Sequence, residues 1–280
     1  MMLDFMKYAT MAPSTRNTRP WLLHFTEQRI RILPDLTRWL PFDDPDQKQL
    51  YMSLGCVLEN LTITAAALQY DTELEFNLEG ETPEIALHLT RSPKLEKQPL
   101  FDMLDKRSTH RGHFGKQPVP KEPFEALRKV GGEVLFLSTD PEIARQMEDL
   151  NIQAEVELYS NVSFCQEAAK YELATWLHSN IWAPKLHLLA CLALGKDPSW
   201  ARITAPLVGL LFIRSFKRKD LVMTGSLLQR LFLTATLHHL KFRPISNCLR
   251  EEKGRKILQS LSARPSSLPA VGFYCGYALT

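Results

Sequence analysis

Apolar side chains recur along this chain with two different periods, and the helical period is the clearer one. Residues 46–70 carry Leu, Val or Ala at every third or fourth position, and residues 221–240 do the same over a similar length. This spacing places the apolar side chains on one face of a helix, so the sequence predicts two long core helices. A shorter helix is predicted over residues 3–12, where Pro13 ends it.

Alternating or continuous apolar runs predict strands between these helices. Residues 21–26 and 29–33 are separated by two residues and predict a hairpin. Five further strands are predicted at residues 72–78, 84–90, 133–138, 208–214 and 270–278. Because strands and helices alternate irregularly, the pattern indicates an α+β fold.

The two predicted core helices are similar to each other. Residues 54–70 and 224–240 align without gaps, and the alignment matches Gly55 with Gly225. Any two amphipathic helices share leucines at helical spacing, so the matched glycines and a matched Thr-Ala pair carry most of the weight. The alignment predicts an internal repeat with two equivalent helices.

Composition and charge then narrow the class of protein. The 280 residues are 45% hydrophobic and 23% charged, which is typical of a globular chain and excludes collagen, coiled coils and disordered proteins. A net charge of +3 is too small for a polyanion-binding surface, so no nucleic-acid partner is expected. The most apolar internal runs are shorter than the roughly 20 residues of a membrane span, and no membrane association is expected.

The cysteines and the first residues indicate the compartment. Five scattered cysteines with no CxxC pair are typical of buried thiols in a reducing environment. The first residues lack the apolar core of a signal peptide, so we expect a cytoplasmic protein. His110, His113, His238 and His239 have no companions at metal-ligand spacing, and no metal site is expected.

Two polar loops carry the residues suited to binding a small molecule. Residues 12–21, APSTRNTRPW, contain two prolines that fix the backbone. The second loop places Arg107 and Arg111 four residues apart with hydroxyls between them, a pattern suited to a phosphate group. On local chemistry alone, the first loop could be an ordinary rigid turn and the second a charged helix C-terminus.

Together these loops resemble the flavin-binding segments of the nitroreductase-like flavoproteins. That family uses an RxSxR-type phosphate loop and an APSxxNxQPW loop, which residues 107–111 and 12–21 resemble. Residues 244–247, Pro-Ile-Ser-Asn, stand where the family has a Pro-Ile-Glu-Gly-like turn beside the reactive N5 edge of the flavin. The resemblance implies a nitroreductase-like α+β fold with a central, mainly antiparallel sheet flanked by helices.

The order of the two loops is the reverse of that in ordinary family members, where the arginine loop comes first. This order resembles the fused, Acg-type branch, in which one chain imitates the two-subunit dimer. The resemblance therefore implies one compact unit over residues 1–280, with pseudo-halves 1–90 and 101–280 and a connector at 91–100. Such a pseudo-dimer could be a monomer or a homodimer.

The resemblance also implies FMN as the cofactor. The implied cofactor-binding residues are Pro13, Ser14, Arg16, Asn17, Arg107, Ser108, Thr109, Arg111, Pro244, Ile245 and Ser246. The implied activity is ping-pong hydride transfer from NAD(P)H to a nitro, quinone or similar acceptor. No catalytic side chain is expected, because the flavin itself carries the hydride chemistry.

Departures from the family pattern leave other functions open. Arg19 replaces the Gln of the family loop, and Ser246-Asn247 replaces Glu-Gly. The apolar residues 181–194 could cover the flavin as a lid and exclude substrates. A non-catalytic FMN-binding or flavin-sequestering protein is therefore the main alternative, and a flavin-free interaction module of the same fold is a third.

Overall fold

The computed structural model describes residues 2–94, 97–176 and 203–279, with side chains throughout except at residues 172–176. The predicted lid at residues 181–194 lies outside the described residues. The chain divides into two units, each made of segments that are distant in sequence. Unit 1 consists of Met1–Ser108, Glu125–Gly132 and Ile213–His239, and unit 2 consists of Thr109–Phe124, Glu133–Phe212 and Leu240–Thr280.

Helices and strands are both abundant, which confirms the α+β class. The described α-helices are α1 (Met2–Thr10), α2 (Lys48–Ala67), α3 (Lys121–Gly131), α4 (Pro141–Tyr159), α5 (Val162–Trp176), α6 (Arg218–Leu237) and α7 (Glu252–Leu261). The described strands are β1 (Trp21–Phe25), β2 (Arg29–Pro34), β3 (Tyr70–Asn77), β4 (Glu84–Arg91), β5 (Leu135–Ser138), β6 (Leu207–Ile213), β7 (Lys241–Ile245) and β8 (Leu268–Gly276).

Unit 1 contains a four-stranded antiparallel sheet in the order β1-β2-β4-β3. The predicted hairpin is confirmed, because Trp21 pairs with Pro34 and Phe25 pairs with Ile30. Ile30 and Ile32 alternate with more exposed residues along β2 and are fully enclosed. The apolar positions of this strand therefore lie on one face of the sheet, as a period of two requires.

Helices α2 and α6 pack against each other in unit 1 at backbone distance. A Cβ atom added to Gly55 would lie 1.9 Å from the carbonyl oxygen of Val222, and one added to Gly225 would lie 1.9 Å from the carbonyl oxygen of Met52. Each helix therefore contributes a glycine to the point where the two backbones meet. Both predicted core helices are confirmed, and they pack directly against each other.

Helix α2 is also the one described helix that is long and apolar enough to cross a membrane by length and composition. Its most apolar window has a mean hydropathy of 1.3, and 83% of that window is buried within the protein. Residues on all sides of this helix are buried. A helix that is apolar all round is typical of a protein core, and the burial of α2 accounts for its composition.

Unit 2 contains the second four-stranded sheet, in the order β5-β6-β8-β7. Strand β5 is antiparallel to β6, and β7 is antiparallel to β8. Apolar side chains of α4, β6, α7 and β8 form one core cluster, which includes Met147, Leu210, Leu258 and Tyr274. This cluster packs α4 and α7 onto the sheet that carries the predicted turn at residues 244–247.

The internal repeat extends from the helices to the sheets. The order β1-β2-β4-β3 of unit 1 recurs as β5-β6-β8-β7 in unit 2, and α2 and α6 each follow the second strand of their repeat. The mainly antiparallel β structure expected from the sequence is thus distributed over two sheets with the same connectivity.

The division into units does not follow the predicted connector at residues 91–100. Both sides of the connector belong to unit 1, and the first change of unit falls between Ser108 and Thr109. The physical reason is an apolar cluster that ties the following segment to the core helices: Ile63, Leu104 and Leu233, with Tyr8, Leu100, Phe101 and Met103 against them. Part of this segment forms a short 3-10 helix, Pro99–Met103. One compact body built from halves 1–90 and 101–280 stays a prediction.

Candidate cofactor site

The loop that follows α1 has a strained backbone. Arg16, Asn17 and Arg19 have φ values of 50°, 57° and 49°. Such values are uncommon for residues other than glycine, because the Cβ atom crowds the backbone, although Asn tolerates them better than most. The N–H of Asn17 donates to the carbonyl of Ser14 at 3.0 Å, and the N–H of Arg19 donates to Ser14 Oγ at 2.9 Å. Ser14 thus closes the loop on itself, while Pro13 before it is half-buried.

Two side chains tie this loop to the segment that leads into α2. Arg16 Nε lies 2.8 Å from Asp43 Oδ2, and both side chains of this ion pair are nearly enclosed, at 10% and 6% exposure. Thr15 Oγ1 donates to Gln49 Oε1 at 2.7 Å. The structure therefore places the guanidinium of Arg16, a predicted cofactor-binding group, against a carboxylate of its own unit.

Arg107 lies in unit 1 beside the same loop. Its Nη2 donates to the carbonyl of Met11 at 3.2 Å, and its guanidinium lies 4.7 Å from the ring centre of Phe232 on α6. Burial lowers the pKa of Arg107. Its Nε and Nη1 atoms are buried and have no hydrogen-bond partner among the described residues. A guanidinium with two such N–H groups keeps donor capacity for an anion, so Arg107 fits the phosphate group that the resemblance implies.

The rest of the arginine loop is exposed. Ser108, Thr109 and Arg111 are all accessible to solvent. Thr109 forms a parallel bridge with Phe242, and the N–H of His110 donates to the carbonyl of Phe242 at 3.0 Å. These backbone bonds place Thr109 beside β7 within unit 2.

The predicted turn at residues 244–247 begins inside β7. Pro244 pairs with Phe273 and Ile245 pairs with Gly272 of β8. Strand β7 is the last strand of its sheet, a position where the missing N–H of a proline is tolerated. Ser246 follows the strand and precedes a short 3-10 helix, Asn247–Leu249. Ile245 is buried, whereas Pro244 and Ser246 are half-buried.

Each unit thus brings together part of the predicted set. In unit 1, Met11 links Arg107 to the chain just before Pro13, so the first loop and the first arginine are neighbours. In unit 2, Phe242 links Thr109 to the strand that carries Pro244. The side chain of Arg111 is exposed.

A buried polar cluster in unit 2 supports the turn after β7. Glu148 of α4 accepts a hydrogen bond from the N–H of Ile203 at 3.1 Å. Burial raises the pKa of Glu148, and burial together with this carboxylate raises the pKa of Tyr274 well above its usual value. Asn247 donates from its side chain to Glu155, also on α4, at 3.4 Å. The hydrogen bond between Asn247 and Glu155 joins α4 to the turn.

The sequence did not point to two partners of the predicted residues: Asp43, which pairs with Arg16, and Phe232, which lies against Arg107. In the sequence, Phe232 is one apolar position of a helix among several. The Asp43-Asp44 pair just before α2 is the signal that could have been used, because aspartates are common at helix N-termini. No group of three or more His, Cys, Asp or Glu side chains among the described residues could hold a metal ion.

Comparison with known proteins addresses the fold directly. No family model matches the chain, and no curated protein matches it. Its structure is similar to a crystal structure of a putative nitroreductase from Anabaena variabilis, with 10% identity, a TM-score of 0.63, and coverage of 99% of this chain and 88% of that chain. The chain therefore has the nitroreductase fold along nearly its whole length.

Further solved nitroreductases are similar over a smaller part of the chain. The FMN-dependent nitroreductase NfnB from Mycobacterium smegmatis, in complex with NADPH, is 17% identical over 63% of this chain and 86% of that chain, with a TM-score of 0.44. A nitroreductase with bound FMN from Bacteroides fragilis is 11% identical over 65% of this chain and 89% of that chain, with a TM-score of 0.44.

Proposed function

We propose that this protein is an FMN-dependent NAD(P)H oxidoreductase of the nitroreductase type. The observation that carries the proposal is the pair of buried N–H groups on Arg107, which have no partner among the described residues and suit the phosphate of FMN. The nitroreductase fold of the chain supports the same conclusion. The FMN would supply the hydride chemistry, taking a hydride from NAD(P)H and passing electrons to a nitro, quinone or similar acceptor.

The side chains of the protein would bind and orient the cofactor. Arg107 and Arg111 would hold the phosphate, with Ser108 and Thr109 donating hydrogen bonds beside them. The first loop would contact the cofactor through Pro13, Ser14 and Asn17. The turn at Pro244, Ile245 and Ser246 would lie beside the reactive edge of the ring. The strained backbone of the first loop suits such a role, since strain of this kind is concentrated at ligand sites.

The first experiment identifies the cofactor. The protein is purified, its absorbance spectrum is recorded, and the ligand released by heat is identified by mass. We expect FMN. NADPH oxidation with a quinone is then followed at several concentrations of both, and parallel double-reciprocal plots are expected. Bound FMN without turnover would support the flavin-sequestering alternative, and no flavin affinity at all would contradict both.

A variant of Arg107 tests the assignment of the phosphate site. Arg107→Met keeps apolar contact with Phe232 and removes charge-assisted hydrogen bonds, so FMN affinity should fall roughly ten- to a hundredfold. Lys106→Met is the matched control, because Lys106 is an exposed cation one residue away. Equal FMN affinity in both variants would contradict the site.

The repeat and the cysteines support two further parts of the proposal. Two helices of equal length and two sheets of equal connectivity within one chain are what a fused, Acg-type pseudo-dimer requires. A pseudo-dimer of this kind would be a monomer or a homodimer, and light scattering distinguishes the two. Cys56, Cys165, Cys248 and Cys275 are free thiols, which suits the cytoplasmic location expected from the sequence.

A further inference from the structure

The backbone conformation of residues 14–19 depends on contacts with residues outside this loop. Arg16, Asn17 and Arg19 are left-handed, a conformation that is strained in residues other than glycine. The hydrogen bonds within the loop join backbone groups of the loop to one another and to Ser14 Oγ. Such a short loop would relax in isolation, so contacts to the rest of unit 1 must hold it.

The ion pair between Arg16 and Asp43 is one of these contacts. The two side chains are 10% and 6% exposed, so solvent screens the 2.8 Å contact far less than it screens a surface pair. Arg16 is the first of the three left-handed residues, so the ion pair holds the loop at the residue where this conformation begins. Thr15 adds a second tether through Gln49, which lies in the first turn of α2.

Asp43 is itself held by a rigid element. Asp44 accepts hydrogen bonds from the backbone N–H groups of Gln49 and Leu50, at 3.0 and 2.8 Å, and so fixes the segment to the N-terminus of α2. The carbonyl of Asp44 accepts from Trp39 Nε1 at 2.8 Å. Asp43 therefore has a fixed position relative to α2, the core helix of unit 1. Its ion pair with Arg16 fixes the loop relative to the same helix.

We propose that Arg16 and Asp43 form an internal anchor that holds residues 14–19 in the conformation that binds the cofactor. Asp43 is then a positioning residue of the site. Arg16 then holds the loop in place by pairing with Asp43, and it does not bind the cofactor directly. This inference rests on the proposed function for its consequence at the site, whereas the anchor itself does not depend on FMN.

Hydrogen exchange measured by mass spectrometry tests the anchor without any cofactor. The reporters are the amides of Asn17, Thr18 and Arg19, all of which donate within the loop. Asp43→Asn should make them exchange at least about tenfold faster, while the amides of α2 keep their rates. Asp46→Asn is the matched control, because Asp46 is exposed and pairs with Lys48 outside the loop. Unchanged loop exchange in Asp43→Asn would overturn the anchor.

FMN binding to the same variants tests the consequence at the site. Asp43→Asn should weaken FMN binding about tenfold, and Asp46→Asn should leave it unchanged. The exchanged pair, Arg16→Asp with Asp43→Arg, should recover both the slow exchange of the loop and most of the affinity. If the exchanged pair restores the loop but not the affinity, Arg16 binds FMN directly and the positioning role is wrong. If the wild-type protein binds no FMN, the proposed function fails, and the exchange experiment still decides the anchor.

Discussion

Helices α2 and α6 are the central helices of the two repeats, and they are alike in length, ends and crossing point. Both are 20 residues long. Each is followed by a left-handed residue, Gln69 after α2 and His239 after α6, with φ values of 63° and 60°. Gly55 and Gly225 make reciprocal backbone contacts at their crossing. The shared features are those that determine where the backbones go.

The polar side chains between the two helices differ from one repeat to the other. Glu59 lies 2.8 Å from Arg230, and in the repeat-related position Gln229 donates to Asn60 at 2.7 Å. One contact is an ion pair and the other is an amide pair, although the geometry that produces them is the same. Ser226 adds a hydrogen bond to Glu59 at 2.6 Å. The two repeats therefore share their backbone geometry at the helix crossing but differ in the chemistry of the side chains there.

The helix N-termini differ as well. Asp44 caps α2 through two backbone N–H groups, whereas the aligned residue before α6 is Arg214. Near the start of α6, Ser215 donates to Asp220 at 2.6 Å and accepts from the N–H of Lys217 at 3.3 Å. A buried carboxylate therefore stands at the start of one helix, and a hydroxyl and a carboxylate stand at the start of the other.

The largest expected effect comes from the crossing point that the repeats share. Gly55→Ala and Gly225→Ala each force a methyl group against a backbone carbonyl, so the helices must separate. We expect each to lower the free energy of unfolding by at least about 3 kcal/mol, with similar values for both. Guanidinium unfolding followed by circular dichroism measures the change.

The control for this prediction is a glycine with room around it. A Cβ on Gly115 would lie no closer than 3.7 Å to its neighbours, so Gly115→Ala should change stability little. A large loss for Gly55→Ala with a small one for Gly225→Ala would show that the crossing is not reciprocal.

The next largest effect is a pH dependence of stability, which is expected from the buried carboxylate at the N-terminus of α2. Burial raises the pKa of Asp44 to about 6, against the lowering effect of its backbone hydrogen bonds. The folded protein thus holds this proton more tightly than the unfolded chain does. The stability contributed by Asp44 is greatest below about pH 4 and is lost as pH rises through about 6, by about 3 kcal/mol.

Asp44→Asn tests this dependence because it removes the titration and keeps one acceptor oxygen. The difference in unfolding free energy between wild type and variant should shift against the wild type between pH 4 and pH 7. Asp220→Asn, at the start of α6, serves as the comparison in the other repeat. If the difference in unfolding free energy between the wild type and Asp44→Asn does not change with pH, Asp44 does not titrate in this range.

A smaller effect is expected for the ion pair that one repeat has and the other lacks. Arg230→Met leaves Glu59 buried with the hydrogen bond from Ser226, and burial already raises the pKa of Glu59. The loss should be about 2 kcal/mol, below the range for a fully buried pair, because the Arg230 side chain is 36% exposed. Arg128→Met, which breaks an exposed pair with Glu125, should cost much less. Equal losses would show that burial of Glu59 adds nothing.

The comparison also explains which features could be predicted from sequence. The helices, the hairpin and the repeat followed from local periodicity, because burial on one face is written into neighbouring residues. The contact between Arg16 and Asp43 did not follow, because it depends on a left-handed backbone that a Thr-Arg-Asn sequence does not require. The change of unit after Ser108 was also missed, since it depends on apolar contacts of Leu104 with residues far away in sequence.

The smallest expected effect lies at the left-handed residues that end both core helices. Gln69→Gly and His239→Gly remove a Cβ that is crowded at positive φ, and glycine is the residue that most often ends a helix in this way. The greater freedom of glycine in the unfolded chain offsets part of the gain, so each variant should gain about 0.5 kcal/mol. Ser160→Gly is the control, because Ser160 ends α4 with a φ of −78° and should lose stability instead. Since the two positions have the same role in the two repeats, their gains should be equal and should add in the double variant. Unequal gains, measured by thermal unfolding, would mean that the repeats have diverged in backbone strain as well as in side-chain chemistry.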